Sequence, residues 1–347
     1  MRSAHMYVVH KMLLAWLLGA LVLLTGCATG YQLRPDEQQS VAGKTFVITG
    51  ASSGFGRGVA LKLAALKANV VLAARRTELL QEVADQASAA GGVPLVVTTD
   101  VGKAEDVQKL AERAVAQFGR IDVWINNAGV GAVGRFEDIP VADHSRLIDI
   151  NVKGVIYGSH AAMHRFRKQG FGTLVNIGSA ESEVPLAYQA TYAASKAAVL
   201  SMGRAINEEI RLSGARSIAV ATVMPWAADT PFFEHTANYS GGTPRSAALD
   251  DPQKVVDAIV WVSLHPREEL PVGWKATTSV ISHRHFPDLA ERLSGNVAHK
   301  LQIETAPPAP ATAGTLHEPM RSGRNVEGGI RQRMEREDAA REQRKAD

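Results

Sequence analysis

Tyr192 and Lys196 stand four residues apart in the run Thr191-Tyr192-Ala193-Ala194-Ser195-Lys196. On a helix that spacing puts both side chains on one face. A phenol beside an ammonium is a proton-transfer pair, because the positive charge favours the phenolate. Phenol titrates near pH ~10, so action near neutrality needs a depression of about 3 units, roughly 4 kcal/mol. One lysine falls short of that. A second positive charge, such as an oxidised nicotinamide ring, would complete it. The question is then whether the rest of the chain builds a dinucleotide site around the pair.

The elements that would position such a site follow from hydrophobic period. Short β-rich runs occur at 45–49, 69–74, 95–99, 121–125, 173–177, 218–224 and 269–272. Helical spacing fills 54–67, 78–90, 103–118, 143–167, 191–212 and 252–264. Strands separated by helices of this length pair in parallel, which predicts an α/β doubly wound parallel sheet, a Rossmann fold, in a single domain over 43–275. Ligands of such sheets bind beyond the carboxyl ends of the strands. Chemistry should therefore sit just after a strand or at a helix start.

Several motifs fall there. Gly50, Ser52, Ser53, Gly54, Phe55 and Gly56 join the first strand to the first helix. Glycines allow a tight turn and close approach of a pyrophosphate, and the helix N-terminus offers free N–H groups and a positive dipole end. Arg75 and Arg76 follow the second strand, where a dinucleotide site reads the ribose 2′ position. Arginine there suits a 2′-phosphate, so NADP(H) is favoured over NAD(H), which stays possible. A solvated pair in a loop would look the same. Asp100 and Val101 follow the third strand, and Asn126-Asn127-Ala128-Gly129 the fourth. Asparagine amides can hold a strand end by bonding backbone groups, while Ala128 and Gly129 leave room for a ribose. Ser179 follows the fifth strand. Asn151 lies inside the expected long helix, where its amide is locally unfavourable unless it bonds backbone or relays a proton through water.

Taken together, TGASSGFG, NNAG, Asn151, Ser179 and YAASK resemble, in order and spacing over about 43–275, the short-chain dehydrogenase/reductase family. The resemblance implies roles for the matching residues. Tyr192 would be the general acid/base at the substrate oxygen. Lys196 would depress the tyrosine's pKa and bind the nicotinamide ribose. Ser179 would polarise the substrate oxygen, and Asn151 would hold a water linking Lys196 to solvent. It implies an NAD(P)-dependent oxidoreductase that moves a hydride between a nicotinamide and a carbonyl or secondary alcohol. It further implies a dimer or tetramer paired through the helices at 143–167 and 191–212. The family usually has Pro-Gly after the sixth strand, in a loop that meets the nicotinamide carboxamide. This chain has Pro225-Trp226, with Thr230 expected to keep that contact. Phe232 to Gly242 would be the lid, and its aromatics suggest an apolar substrate. Two other readings stay open: a membrane-tethered dinucleotide-binding protein without turnover, and isomerase or dehydratase chemistry on the same fold.

The ends of the chain read differently. Composition is ordinary for a globular protein, and the net charge of +3 over 347 residues, without a long basic block in the body, gives nucleic-acid binding no support. No metal is called for. An apolar run at 12–24 follows Arg2, His5, His10 and Lys11, and ends in Leu24-Thr25-Gly26-Cys27. It resembles a bacterial lipoprotein signal with Cys27 as the lipidated residue, which predicts a signal or anchor over 1–26, a linker over 27–42 and membrane association. The membrane side is left open, since the signal points outward and the cofactor supply inward. Cys27 is the only cysteine, so the chain can form no internal disulfide. Residues 276–347 are expected to be an irregular, partly disordered extension: 305–315 are rich in Pro, Ala and Thr, and 330–347 are charged with little apolar face.

Overall fold

Residues 30–346 are described by the computed structural model. The expected signal at 1–26 and Cys27 lie outside the described residues. The chain enters through α1 (Pro35–Val41) and then alternates: β1 (Thr45–Thr49), α2 (Gly54–Ala65), β2 (Asn69–Ala74), α3 (Thr77–Ala89), β3 (Val93–Thr98), α4 (Ala104–Phe118) and β4 (Val123–Asn126). A second series follows with β5 (Ala132–Val133), α5 (Val141–Ile148), α6 (Gly154–Gln169), β6 (Gly172–Ile177), α7 (Ala190–Leu212) and β7 (Ile218–Pro225). Beyond it come α8 (Phe232–His235), β8 (Ala237–Asn238), α9 (Pro252–Leu264), β9 (Glu269–Val272), α10 (Gly273–His285), α11 (Pro287–His299) and α12 (Ile330–Ala346).

Seven strands form one sheet in the order β3-β2-β1-β4-β6-β7-β9, every pair parallel. Each β1 residue is buried, as a parallel strand covered on both faces must be. Leu63, Leu80 and Val256 belong to the apolar core on one face; Leu110, Leu147 and Phe166 belong to that on the other. This is the doubly wound Rossmann architecture expected. Strand order reverses between β1 and β4, so a crevice opens there at the carboxyl ends.

Two stretches depart from expectation. The helix expected over 143–167 is interrupted by a π-turn, Asp149–Lys153, between α5 and α6. Asn151 sits in that wider turn, which resolves its awkwardness in a regular helix: its amide bonds the backbone of Val130. The second departure is the C-terminal extension. α10 runs across the expected boundary at 275, and α11 and a second π-turn (Lys300–Glu304) follow. An irregular strap then crosses the carboxyl rim of the sheet before α12. Its polar composition conceals the packing, because main-chain groups hold it. Among the described residues no helix is long and apolar enough to cross a membrane.

Candidate active site

α7 opens at Ala190, which puts Tyr192 and Lys196 in its first two turns, both buried. The Lys196 ammonium donates to the Ile177 carbonyl at the end of β6 (2.7 Å) and lies 5.6 Å from the Tyr192 ring centre. Asn151 Nδ2 donates to Ser195 Oγ (3.0 Å) and to Val130 O (2.9 Å), while its Oδ1 accepts from Val130 N (2.9 Å). The π-turn thereby clamps α7 to the segment after β4. Ser179, after β6, caps a short turn by accepting from Glu181 N (3.1 Å), and it lines the same cavity as Tyr192, near enough to favour the phenolate.

Burial pushes the Tyr192 phenol above its ordinary value, the Glu181 charge adds to this, and the Ser179 hydrogen bond only partly opposes it. Burial also lowers Lys196 to about 8, against the pull of Glu181. Tyr192 therefore keeps its proton at neutral pH.

The crevice between β1 and β4 holds the remaining predicted residues. Thr49 Oγ1 accepts from Asn127 N (3.0 Å) and Ala128 N (3.1 Å), and Asn127 Nδ2 donates to Thr49 O (2.8 Å). The NNAG turn is thus tied to the end of β1. Gly50 takes a left-handed conformation (φ +68°), and a methyl on Gly56 would stand 2.3 Å from the Gly50 carbonyl oxygen. Gly129 lies close to Lys196, with room for a Cβ only 3.6 Å from its ammonium. Burial alone would raise the Asp100 carboxyl, but Arg146 (2.6 Å) and the Gly102 N–H (3.0 Å) hold it below the usual range. Thr230 and Val101 are buried at the same rim, and Pro225 ends β7. Trp226 lines the cavity and donates to Ala247 O (3.3 Å).

One cavity of about 640 Å³ joins these groups. Its inner part runs past Gly54, Arg75, Asp100 and Ala128, the donors, small residues and charges that a dinucleotide needs, so the residues present fit that cofactor. Its outer part is apolar, walled by Leu186, Phe232, Ala290, Leu293 and Val297. Phe232 lies against Tyr192 with ring centres 5.6 Å apart, so the expected lid does cover the pair.

A family model described as short chain dehydrogenase matches residues 44–239. The chain belongs to that family. It is 34% identical over 296 residues to an uncharacterized oxidoreductase of Bacillus subtilis, YxnA, covering 81% of this chain and 83% of the relative. A metagenomic short-chain oxidoreductase solved in complex with NADP is 29% identical, with a TM-score of 0.57 over 67% of this chain and 97% of that one. A 3-ketoacyl-(acyl-carrier-protein) reductase from Brucella melitensis, solved with NADH, is 28% identical, with a TM-score of 0.55 over 64% and 91%.

Three features of this short-chain dehydrogenase escape sequence reasoning. Glu181 lines the cavity, and its Oε2 is buried without a hydrogen-bond partner. Burial raises its carboxyl to about 8, with Lys196 opposing. The only signal for it is an acidic residue two places after Ser179. The α10 and α11 side chains that wall the outer cavity belong to an extension that carries no motif. Finally, the Arg75 and Arg76 guanidiniums, expected to read a 2′-phosphate, donate to main-chain carbonyls of residues 315–323.

Proposed function

We propose that the protein is an NADPH-favouring reductase of an apolar aldehyde or ketone, with Tyr192 as the general acid. The carrying observation is the buried Tyr192, with Ser179 and Lys196, in one cavity lined both by the glycine-rich turn and by apolar side chains. A bound nicotinamide dinucleotide supplies the hydride, delivered to the carbonyl carbon. The chain's own residues do the rest. Ser179 donates to the substrate oxygen and polarises it. Tyr192 passes its phenolic proton to that oxygen as the C–H bond forms, leaving an alcohol. Lys196, held by Ile177, stabilises the phenolate that remains until a solvent proton restores it. Water is kept out by Phe232 and the α11 wall. Run in reverse, the same groups oxidise a secondary alcohol, but a phenol with a raised pKa makes reduction the better-served direction near neutrality.

The preference for NADPH rests on Arg75 and Arg76 and on the lack of an acidic residue at the end of β2. Titration of protein fluorescence should give a lower Kd for NADPH than for NADH, and the reverse order would remove this part of the reading. Tyr192→Phe should lower the turnover of aldehydes and ketones by about a thousandfold while NADPH affinity stays within a few-fold. Near-normal rates in that variant would show that the acid lies elsewhere.

A further inference from the structure

Residues 312–331 form a strap that is bonded to both sides of the crevice. On the lid side, Thr312 and Asn238 exchange main-chain hydrogen bonds, Thr315 N donates to His235 O (2.9 Å), and Gly328 N donates to Asp229 O (3.0 Å). Toward the adenosine end, Arg75 donates to the carbonyls of Thr315 (2.5 Å), Leu316 (3.3 Å) and His317 (3.0 Å). Arg76 donates to those of Met320, Ser322 and Gly323, Arg57 to Arg324 O, and Gly54 N to Asn325 O (2.9 Å). Leu316 anchors the segment: its side chain is fully buried in the core, and its carbonyl also accepts from Arg146, the partner of Asp100. Arg324 pairs with Glu82 on the outer surface of α3.

We propose that this strap is a gate over the dinucleotide site, so that cofactor enters and leaves only when residues 312–331 lift. The proposal rests on the dinucleotide reading of the cavity. A segment that bonds both lips of a crevice must release one lip before a ligand of that length can pass. The guanidiniums that would meet the adenosine end are the ones that hold the strap, so binding and closure share the same groups. A gate has a kinetic signature distinct from that of a wall. A wall that merely adds contacts slows release alone, whereas a gate slows entry and release together.

The test is stopped-flow fluorescence with NADPH on the full-length protein. Leu316→Ala should raise both the association and the dissociation rate by about tenfold or more, with a much smaller change in Kd. Leu316→Met, which keeps the volume, should restore both rates. Glu82→Ala removes only an exposed clasp and should raise both rates about two- to threefold. It carries the test alone if Leu316→Ala does not fold. Unchanged rates in these variants, or a rise in dissociation alone, would overturn the gate. Failure of every form of the protein to bind NADPH or NADH would instead remove the dinucleotide reading, and the gate with it.

Discussion

Two segments border the same crevice by opposite means. The turn from Thr49 to Gly56 is defined by what is missing: Gly50 and Gly56 carry no Cβ because backbone or an asparagine amide already occupies the place. The strap at 312–331 is held mainly through its main-chain carbonyls, by arginines that lie elsewhere, and it needs glycine only where it presses on the lid, at Gly314, Gly323 and Gly328. The first depends on residue type at each position and tolerates almost no change. The second depends mainly on path, with residue type fixed at Leu316 and at the glycines that meet the lid. A binding site can be built in either way, but only the first lies between a strand and a helix, where a glycine-rich run can be read as a site.

Three changes would break or sharpen that contrast. The largest effect is expected from Gly56→Ala, whose methyl would stand 2.3 Å from Gly50 O and 2.5 Å from Asn127 Nδ2. Overpacking of this kind costs about 3 kcal/mol, read by urea unfolding and accompanied by loss of NADPH binding. Near-normal stability would mean that the turn yields as easily as the strap. Asp229→Ala should come next. Asp229 accepts from the free N–H groups of Ile330 (2.7 Å) and Arg331 (3.2 Å) at the start of α12, and losing such a cap costs about 1 kcal/mol. Hydrogen exchange should quicken over 328–346 and leave the sheet protected. Faster exchange across β1 and β4 would show that the two regions are one cooperative unit.

The third change, read against pH, concerns Glu181, which lines the cavity beside the catalytic pair. Its carboxyl is raised from 4.5 to about 8 by burial. Below pH 4.5 both the folded and the unfolded chain carry the proton. As pH rises from 4.5 toward 8 the unfolded chain loses it and the folded chain keeps it, so stability falls over that window. Glu181→Gln removes this titration. Its melting temperature should match that of the parent at pH 4 and exceed it by a growing margin up to pH 8. Lys196, lowered by burial, contributes the opposite slope above about 8 in both proteins. A difference that is flat with pH would show that the Glu181 carboxyl titrates in the folded chain as it does in the unfolded one.

Legibility follows the same physics. Seven strands, their parallel pairing and the crevice between β1 and β4 could be read from apolar runs alternating with helical spacing. Gly50, Gly56, Asn127, Ser179, Tyr192 and Lys196 could be read because each supplies a backbone conformation or functional group that few other residues offer. The π-turn around Asn151 could not, since its hydrogen bonds span only one residue more than those of an α-helix. The sense of the Tyr192 shift could not either, because it depends on how deeply α7 buries the phenol and where Ile177 draws the lysine. Arg75 illustrates both sides: its position after β2 marks the adenosine end, but nothing in its neighbours announces that Thr315, Leu316 and His317 return to meet it.

The strap's place in the chain also decides when it can act. Residues 312–331 are translated after every strand of the sheet, and at about 5–20 residues per second the rim stands complete and uncovered for seconds before they emerge. On the gate reading, the crevice is open during that interval, and residues 312–331 then close over it.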